Sequence, residues 1–313
     1  MQTNRRLIAA KPEAVEGTGE TLLAADGGIL ALNVKVDVDI KMLPRNVTKA
    51  SLGKRADVPG SRLARITFRA EMKGPGSAYS TTVKPALSPY LRGCGYAETV
   101  DATPGTEKTT YVPASTGAPS LTIWSYEDGV IKKLIGCRGN VKFSTEAGGI
   151  VYADFDFIGV WDGLVDGAML APTFEGTTPP VFLNGSFTID SYAAIIKGFN
   201  IDRANKLYLR ESANASSGYL SAVITDRDFN GSIDPEMVLK ATYDWYGKWQ
   251  AGTPGALSIG YVGATQYNKF KITGPKAQYR KVSDADREGQ TVADTAFQLA
   301  ENTGDDEMQI EFA

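Results

Sequence analysis

Along residues 34–42 the apolar Val34, Val36, Val38 and Ile40 alternate with the charged Lys35, Asp37, Asp39 and Lys41. That period of two predicts a strand with one buried and one solvated face. A second strand of the same form follows, in which Ala64, Ile66, Phe68, Ala70 and Met72 alternate with Arg65, Thr67, Arg69 and Glu71. The connection between them, residues 43–60, is polar, has Pro44 and Pro59 near its ends and carries Arg45, Lys49, Lys54 and Arg55. It is longer than an ordinary hairpin loop, and loops of that length usually have a function.

The densest strand-and-turn pattern covers residues 120–161. Residues 121–126 are rich in β-branched and aromatic side chains, and Glu127-Asp128-Gly129 supplies a hairpin turn into 130–135. Gly136 and Gly139 predict a corner before 140–144, and Gly148-Gly149 turns the chain into 151–161. In that last strand Val151, Ala153, Phe155, Phe157 and Trp161 share a face, while Asp154 and Asp156 point to the other.

Helical signals are few. Residues 82–92 predict a short helix interrupted by Pro85 and Pro89 and closed by Gly93 or Gly95. Residues 235–250 predict a better one, with Val238, Ala241, Trp245 and Trp249 at helical spacing and Gly252 at its end. Residues 1–20 have no period and read as an extended arm that orders against a partner surface.

After a Pro- and Thr-rich boundary at 170–180 the pattern repeats. Glu175-Gly176-Thr177 matches Glu16-Gly17-Thr18, residues 206–210 and 219–225 mirror the two long strands with a shorter connector, and Leu257-Ser258-Ile259 matches Leu121-Thr122-Ile123. Residues 141–157 lie over 296–312 without a gap, which sets Glu146, Gly149 and Phe157 on Glu301, Gly304 and Phe312, and Asp156 on Glu311. Element order and the ungapped match together predict a duplicated domain, residues 1–172 and 173–313. The fold class expected is all-β, mainly strands with one short helix per domain.

Composition sharpens this mainly by exclusion. The 313 residues include 33 glycines, 14 tyrosines and 12 phenylalanines, as a turn-rich β protein would. With no histidine, there can be no Ser-His-Asp triad, Cys-His pair or His-ligated zinc. A net charge of −3 gives no general basic footprint for nucleic acid. Cys94 and Cys137 are too few for a disulfide framework and read as buried thiols of a reducing compartment. No run of eighteen apolar residues or signal-peptide core occurs, so the expectation is a soluble protein made in the cytoplasm.

Several motifs point elsewhere only weakly. DRDFNGSID at 226–234 copies the first nine positions of an EF-hand loop, but position twelve is Met237 instead of a glutamate. An Asp/Asn/Gly turn is the simpler reading. The pair Asp154 and Asp156 could suggest glycoside hydrolysis, but same-face neighbours on one strand are common. Gly93-Cys94-Gly95 matches no phosphate loop. Trp245 and Trp249 share a helical face and read as core or interface. No metal, cofactor or catalytic residue is expected.

The segments KPEAVEGT, LRGCGY (91–96), YVPAS (111–115), SLTIWSYEDG and LIGCRGNVKF, scattered across residues 11–143, resemble the tail tube (major tail) proteins of long-tailed bacteriophages. The resemblance implies a β-sandwich or small-barrel tube domain with a flanking helix, related in fold to type VI secretion tube proteins. It further implies stacked rings around a channel for tape-measure protein and then DNA. The second half, which lacks RGCG and RGNV, departs from the single-domain pattern. If six domains make a ring, three such chains close it with pseudo-six-fold symmetry.

On that reading the subunit is non-enzymatic and meets copies of itself, tail-tip and terminator proteins, and the tape-measure protein and DNA without specific binding. It would be a virion tail component, assembled in the host cytoplasm and without membrane contact. The lumen should be hydrophilic and negative so that phosphates pass without sticking, and Asp37, Asp39, Asp154, Asp156 and Glu311 are candidates to line it. The arm, with Lys11 and Glu13, and the loop, with Arg45, Lys49, Lys54 and Arg55, are candidates to clasp a neighbouring ring. Two rivals remain: a two-domain β-sandwich binding module of carbohydrate-binding or adhesin type, and a tube-end or baseplate component of similar fold.

Overall fold

The alternating segments form strands that join almost entirely into one sheet. The computed structural model describes Gln2 and residues 5–313; Met1, Thr3 and Asn4 of the expected arm lie outside the described residues. The first half contains β1 (Arg6–Pro12), β2 (Ala31–Leu43), β3 (Val58–Glu71), helix α1 (Ser88–Gly93), β4 (Tyr96–Asp101), β5 (Lys108–Pro113), β6 (Leu121–Glu127), β7 (Val130–Glu146) and β8 (Tyr152–Asp166). The second contains β9 (Thr188–Ile189), β10 (Gly198–Asp202), β11 (Asn205–Glu211), β12 (Tyr219–Arg227), β13 (Asn230–Ile233), helix α2 (Trp245–Ala251), β14 (Gly255–Val262), β15 (Phe270–Arg287), β16 (Gln290–Ala300) and β17 (Gln309–Phe312). The class is all-β.

The main path through the sheet runs β2-β3-β8-β7-β10-β13-β16-β15-β17-β5-β4. Its first four strands and the next four follow the same order: two strands of a long hairpin, then the second and the first strand of a later hairpin. All neighbours are antiparallel. The halves meet where β10 adds to β7, and again where the β4–β5 hairpin adds to β17, with Tyr111 opposite Ile310. Beyond Asp202 the second hairpin leaves the sheet and continues as β11–β12. One apolar core spans both halves, from Ile8 through Phe155 and Phe157 to Phe297 and Phe312.

Three sequence expectations change. The arm needs no partner chain over 6–12: β1 pairs with β6, with Leu7 opposite Tyr126, and Leu7, Ile8, Ala9 and Ala10 are buried. No corner forms at Gly136 and Gly139. Instead β7 runs through, with Gly136 in a bulge between Ile135 and Arg138 at a φ of 60° and Gly139 paired opposite Phe157. The second helix begins only at Trp245, because the backbone N–H groups of Glu236 and Met237 donate to Ile195 and Thr291 instead of to a helix. Asp244 caps it by accepting from Gly247 N–H at 2.8 Å, and Gly252 ends it at a φ of 64°.

The ungapped match of 141–157 to 296–312 is also displaced. β7 and β8 hold the places of β15 and β16, and β17 carries on the line of β16 beside β15, with Lys271 opposite Glu311. The turn between β7 and β8 takes five residues and that between β15 and β16 takes two, so an ungapped match slides past one hairpin.

Candidate assembly surfaces

β3 and β8 alternate in step, so their outward residues form cross-strand pairs. Arg69 lies opposite Asp154 and donates twice to it, at 2.6 and 2.9 Å. Arg65 makes a two-pronged contact with Asp156. These carboxylates hold both guanidinium groups above their ordinary range. Lys142 of β7 stands opposite Asp154, and Asn140, opposite Asp156, donates to Asp202 at 2.7 Å. Asp37 pairs with Lys35 at 2.7 Å, and Asp39 is exposed. The face is hydrophilic, as the alternation predicts, but Asp37, Asp154 and Asp156 are each matched by a base. Such half-exposed pairs add little to stability.

Glu311 differs from the other lumen candidates. It is only 3% exposed, accepts from the Tyr261 hydroxyl, and pairs with Lys271 at 3.0 Å and Lys108 at 3.4 Å. Burial pushes its carboxyl up, but Tyr261 and the two lysines outweigh that and hold it below the usual range.

Lys11 and Glu13, expected to clasp a neighbour, are engaged within the chain. Lys11 reaches Glu20 at 3.1 Å. Glu13 accepts from Ser120 (2.6 Å), Thr122 (3.0 Å), and the backbone N–H groups of Gly17 (2.8 Å) and Gly136 (2.7 Å). Beside it, Glu16 accepts from Arg138 at 2.9 Å and from Ser221 of β12 at 2.5 Å. The first chain segment thus pins the second hairpin onto the first half. Sequence reasoning passed over Glu16, Arg138 and Ser221.

The two motifs LRGCGY and RGNV come together at the base of that hairpin. Asn205 donates to the carbonyls of Cys94 and Gly139, both at 2.8 Å. Buried Arg203 donates to the Gly95 carbonyl at 2.7 Å and lies 4.2 Å above the Tyr96 ring. Arg138 donates to the carbonyls of Ala118 and Ala222. A cleft of about 500 Å³ between β12 and residues 114–118 is lined by Arg138, Arg203, Arg227 and Glu307.

The loop at 44–57 contrasts with these packed parts. Every residue in it is exposed, and Arg45, Lys49, Lys54 and Arg55 have no ion-pair partner among the described residues. The strand leading to it shows Val38, Ile40 and Met42 about half exposed. Among the described residues β2 pairs only with β3, and β15 beyond Ala277 pairs only with β16. The sheet therefore ends in open strand edges, which a monomer would normally protect.

The EF-hand-like segment does not gather ligands. Asp234 accepts from the N–H groups of Lys197 and Gly198 and pairs with Arg287, while Arg227 pairs with Asp305 and Glu307. No group of three or more potential metal-binding side chains occurs among the described residues. No helix among them is long and apolar enough to cross a membrane.

A family model described as phage tail tube protein matches residues 3–312. No curated protein matches the chain. With nearly its whole length covered, the chain belongs to the phage tail tube protein family and has a structural role in the tail tube.

Proposed function

We propose that this member of the tail tube family is the repeating subunit of the tube, a non-enzymatic protein of which three copies close a ring. Rings then stack around a channel that passes the tape-measure protein and later DNA. The observation that carries the reading is the sheet itself: two halves of like strand order joined edge to edge within one chain, with β2 and β15 left open. Residues 1–172 and 173–313 serve as two tandem tube-type domains, so three chains supply six domains.

In this reading the face bearing Asp154 and Asp156, with Asp37 and Asp39 on the neighbouring strand, lines the lumen. The pairing of Asp156, Asp154 and Asp37 with Arg65, Arg69 and Lys35 leaves it hydrophilic without a strong charge of either sign, so a phosphate backbone finds no unpaired cation row there. Arg45, Lys49, Lys54 and Arg55 meet the adjacent ring. Lys11, Glu13 and Glu311 drop out of these roles, because their polar groups are taken up inside the chain. Assembly proceeds in the host cytoplasm, and tail-tip and terminator proteins cap the two ends.

Negative-stain electron microscopy of the purified protein over a concentration series tests this. Rings or hollow tubes support the reading. A monomer at every concentration that instead binds glycan or calcium would favour a two-domain binding module.

A further inference from the structure

The junction between the halves is an interface already built inside one chain. β10 adds to β7 with Ile201 opposite Phe143 and Asn200 opposite Ser144. The hairpin that follows then crosses the first half: Arg138 of β7 donates to Ala222, and the Arg62 N–H of β3 donates to the Ser217 carbonyl at 3.0 Å. β2 and β15 hold the places of β10 and β7 in the other half of each pattern, and among the described residues no strand pairs with the corresponding side of β2 or of β15 beyond Ala277; Tyr246 of α2 donates to Asp284 at 2.8 Å, just past residues 279–283.

Rows across the sheet give the correspondence. Ala31 stands in line with Ala70, Ala153 and Phe143, and Ile201 in line with Gly231, Phe297 and Tyr279. Both rows face the core, and in both strands an irregular step with a residue at positive φ follows within three residues, at Asn33 and at Ala204. Matching the rows sets Tyr279 in the place of Phe143. It also sets Lys281, in line with Ala296, Ser232 and Asn200, in the place of Ser144.

We propose that β2 of a second copy adds antiparallel to the open edge of β15, with Ala31 beside Tyr279 and Leu30 beside Lys281. Its hairpin then crosses β15 and β17 as β11–β12 crosses β7 and β8. This rests on the tube reading and names the surface through which its rings close. The internal junction is heterologous, one edge type on another, so the copied contact is β2 on β15 and propagates around a ring. It covers Leu30, Leu32, Val38, Ile40 and Met42, all more than two-fifths exposed in the single chain.

The seam between chains is not a full copy of the junction within them. α1 and β6 enclose the β4–β5 hairpin that grips β17, whereas α2 ends at Ala251 and β14 begins at Gly255. Among the described residues nothing corresponding reaches β8, whose residues 161–166 pair only with β7. Two kinds of junction therefore alternate around the ring.

The test is a double variant, Leu30→Cys with Lys281→Cys, oxidised after assembly and run on a non-reducing gel. Both positions are exposed, and the native Cys94 and Cys137 are fully buried. The proposal predicts covalent dimers and trimers from the double variant, nothing larger, and no cross-link from either single variant. Rings or tubes that run as monomers on the gel would overturn the register while leaving the tube reading intact. Dimers from Leu30→Cys alone would do the same, showing β2 against β2. An unmodified protein that never assembles would overturn both. Hydrogen exchange on the unmodified protein asks the question without substitution. Residues 29–32 and 279–283 should gain protection on assembly and residues 161–166 should not; the absence of that pattern contradicts the proposal.

Discussion

Ile201 of β10 lies directly opposite Phe143 of β7, and neither side chain is exposed to solvent. The pair joins the two halves into one sheet and one core. Removing it should therefore loosen the junction and not only a local contact. Ile201→Ala is expected to cost about 2–5 kcal/mol, the range for truncating a buried aliphatic side chain. Denaturant unfolding would measure it. A loss well under 1 kcal/mol would mean that the halves hold together by other means.

Acid should weaken the attachment of the second hairpin. Burial pushes the Glu16 carboxyl up, but the Ser221 hydroxyl and the Arg138 and Arg210 guanidinium groups outweigh this and hold it below its ordinary 4.5. At the far end of the same region, Ser115 and Arg227 hold Asp305 down to about 2. A depressed carboxyl stabilises the fold above its unfolded pKa, and that contribution is lost as pH falls through the folded value. Thermal stability should therefore drop between about pH 4.5 and pH 2. Glu16→Gln should lower stability at pH 7 and flatten the upper part of that slope. Equal slopes in the two proteins would exclude Glu16 from this role.

Much of this architecture was legible in the chain, and the exceptions have physical causes. Alternation placed β2 and β3 and set Asp154 and Asp156 on the outer face, because face is a local property of a strand. Their partners were not legible: Arg65 and Arg69 meet them only through the pairing of β3 with β8, set by long-range register. Residues 1–20 have no period of their own, and β1 forms within them because β6 offers an edge to join. Helical spacing over 235–250 was overruled by hydrogen bonds from Glu236 and Met237 to distant carbonyls. Glu16 and Arg138 sit in the KPEAVEGT and RGNV segments that marked the family, but nothing in those segments showed that they meet each other.

Glu175, in the connection between the halves, should make stability depend on pH in the opposite sense. Burial raises its carboxyl to about 7, only partly offset by the Ala86 N–H and Lys73. A raised carboxyl favours the fold below its unfolded pKa, near 4.5, and that advantage fades as pH rises to about 7. Glu175→Gln keeps an acceptor for Ala86 and removes the titration. It should raise the melting temperature at pH 8 by about 2–4 °C and leave it unchanged at pH 4. A variant no more stable at pH 8 would count against this assignment.

Charge reversal of Arg45, Lys49, Lys54 and Arg55 to glutamate should leave the fold unchanged, since none of them has an ion-pair partner among the described residues. Rings should still close, while stacking into tubes should fall at least tenfold in sedimentation assays. Tubes of normal length would remove the loop from inter-ring contact.

The ring itself offers the most direct measurement. Cryo-electron microscopy of assembled particles, averaged in end view without imposed symmetry, counts the chains per ring and resolves the strands at each junction. The account predicts three chains, a continuous sheet across β15 and β2 of successive copies, and two alternating junctions that break six-fold symmetry to three-fold. Rings of six complete chains, or neighbours in contact through surfaces other than these two edges, would contradict it.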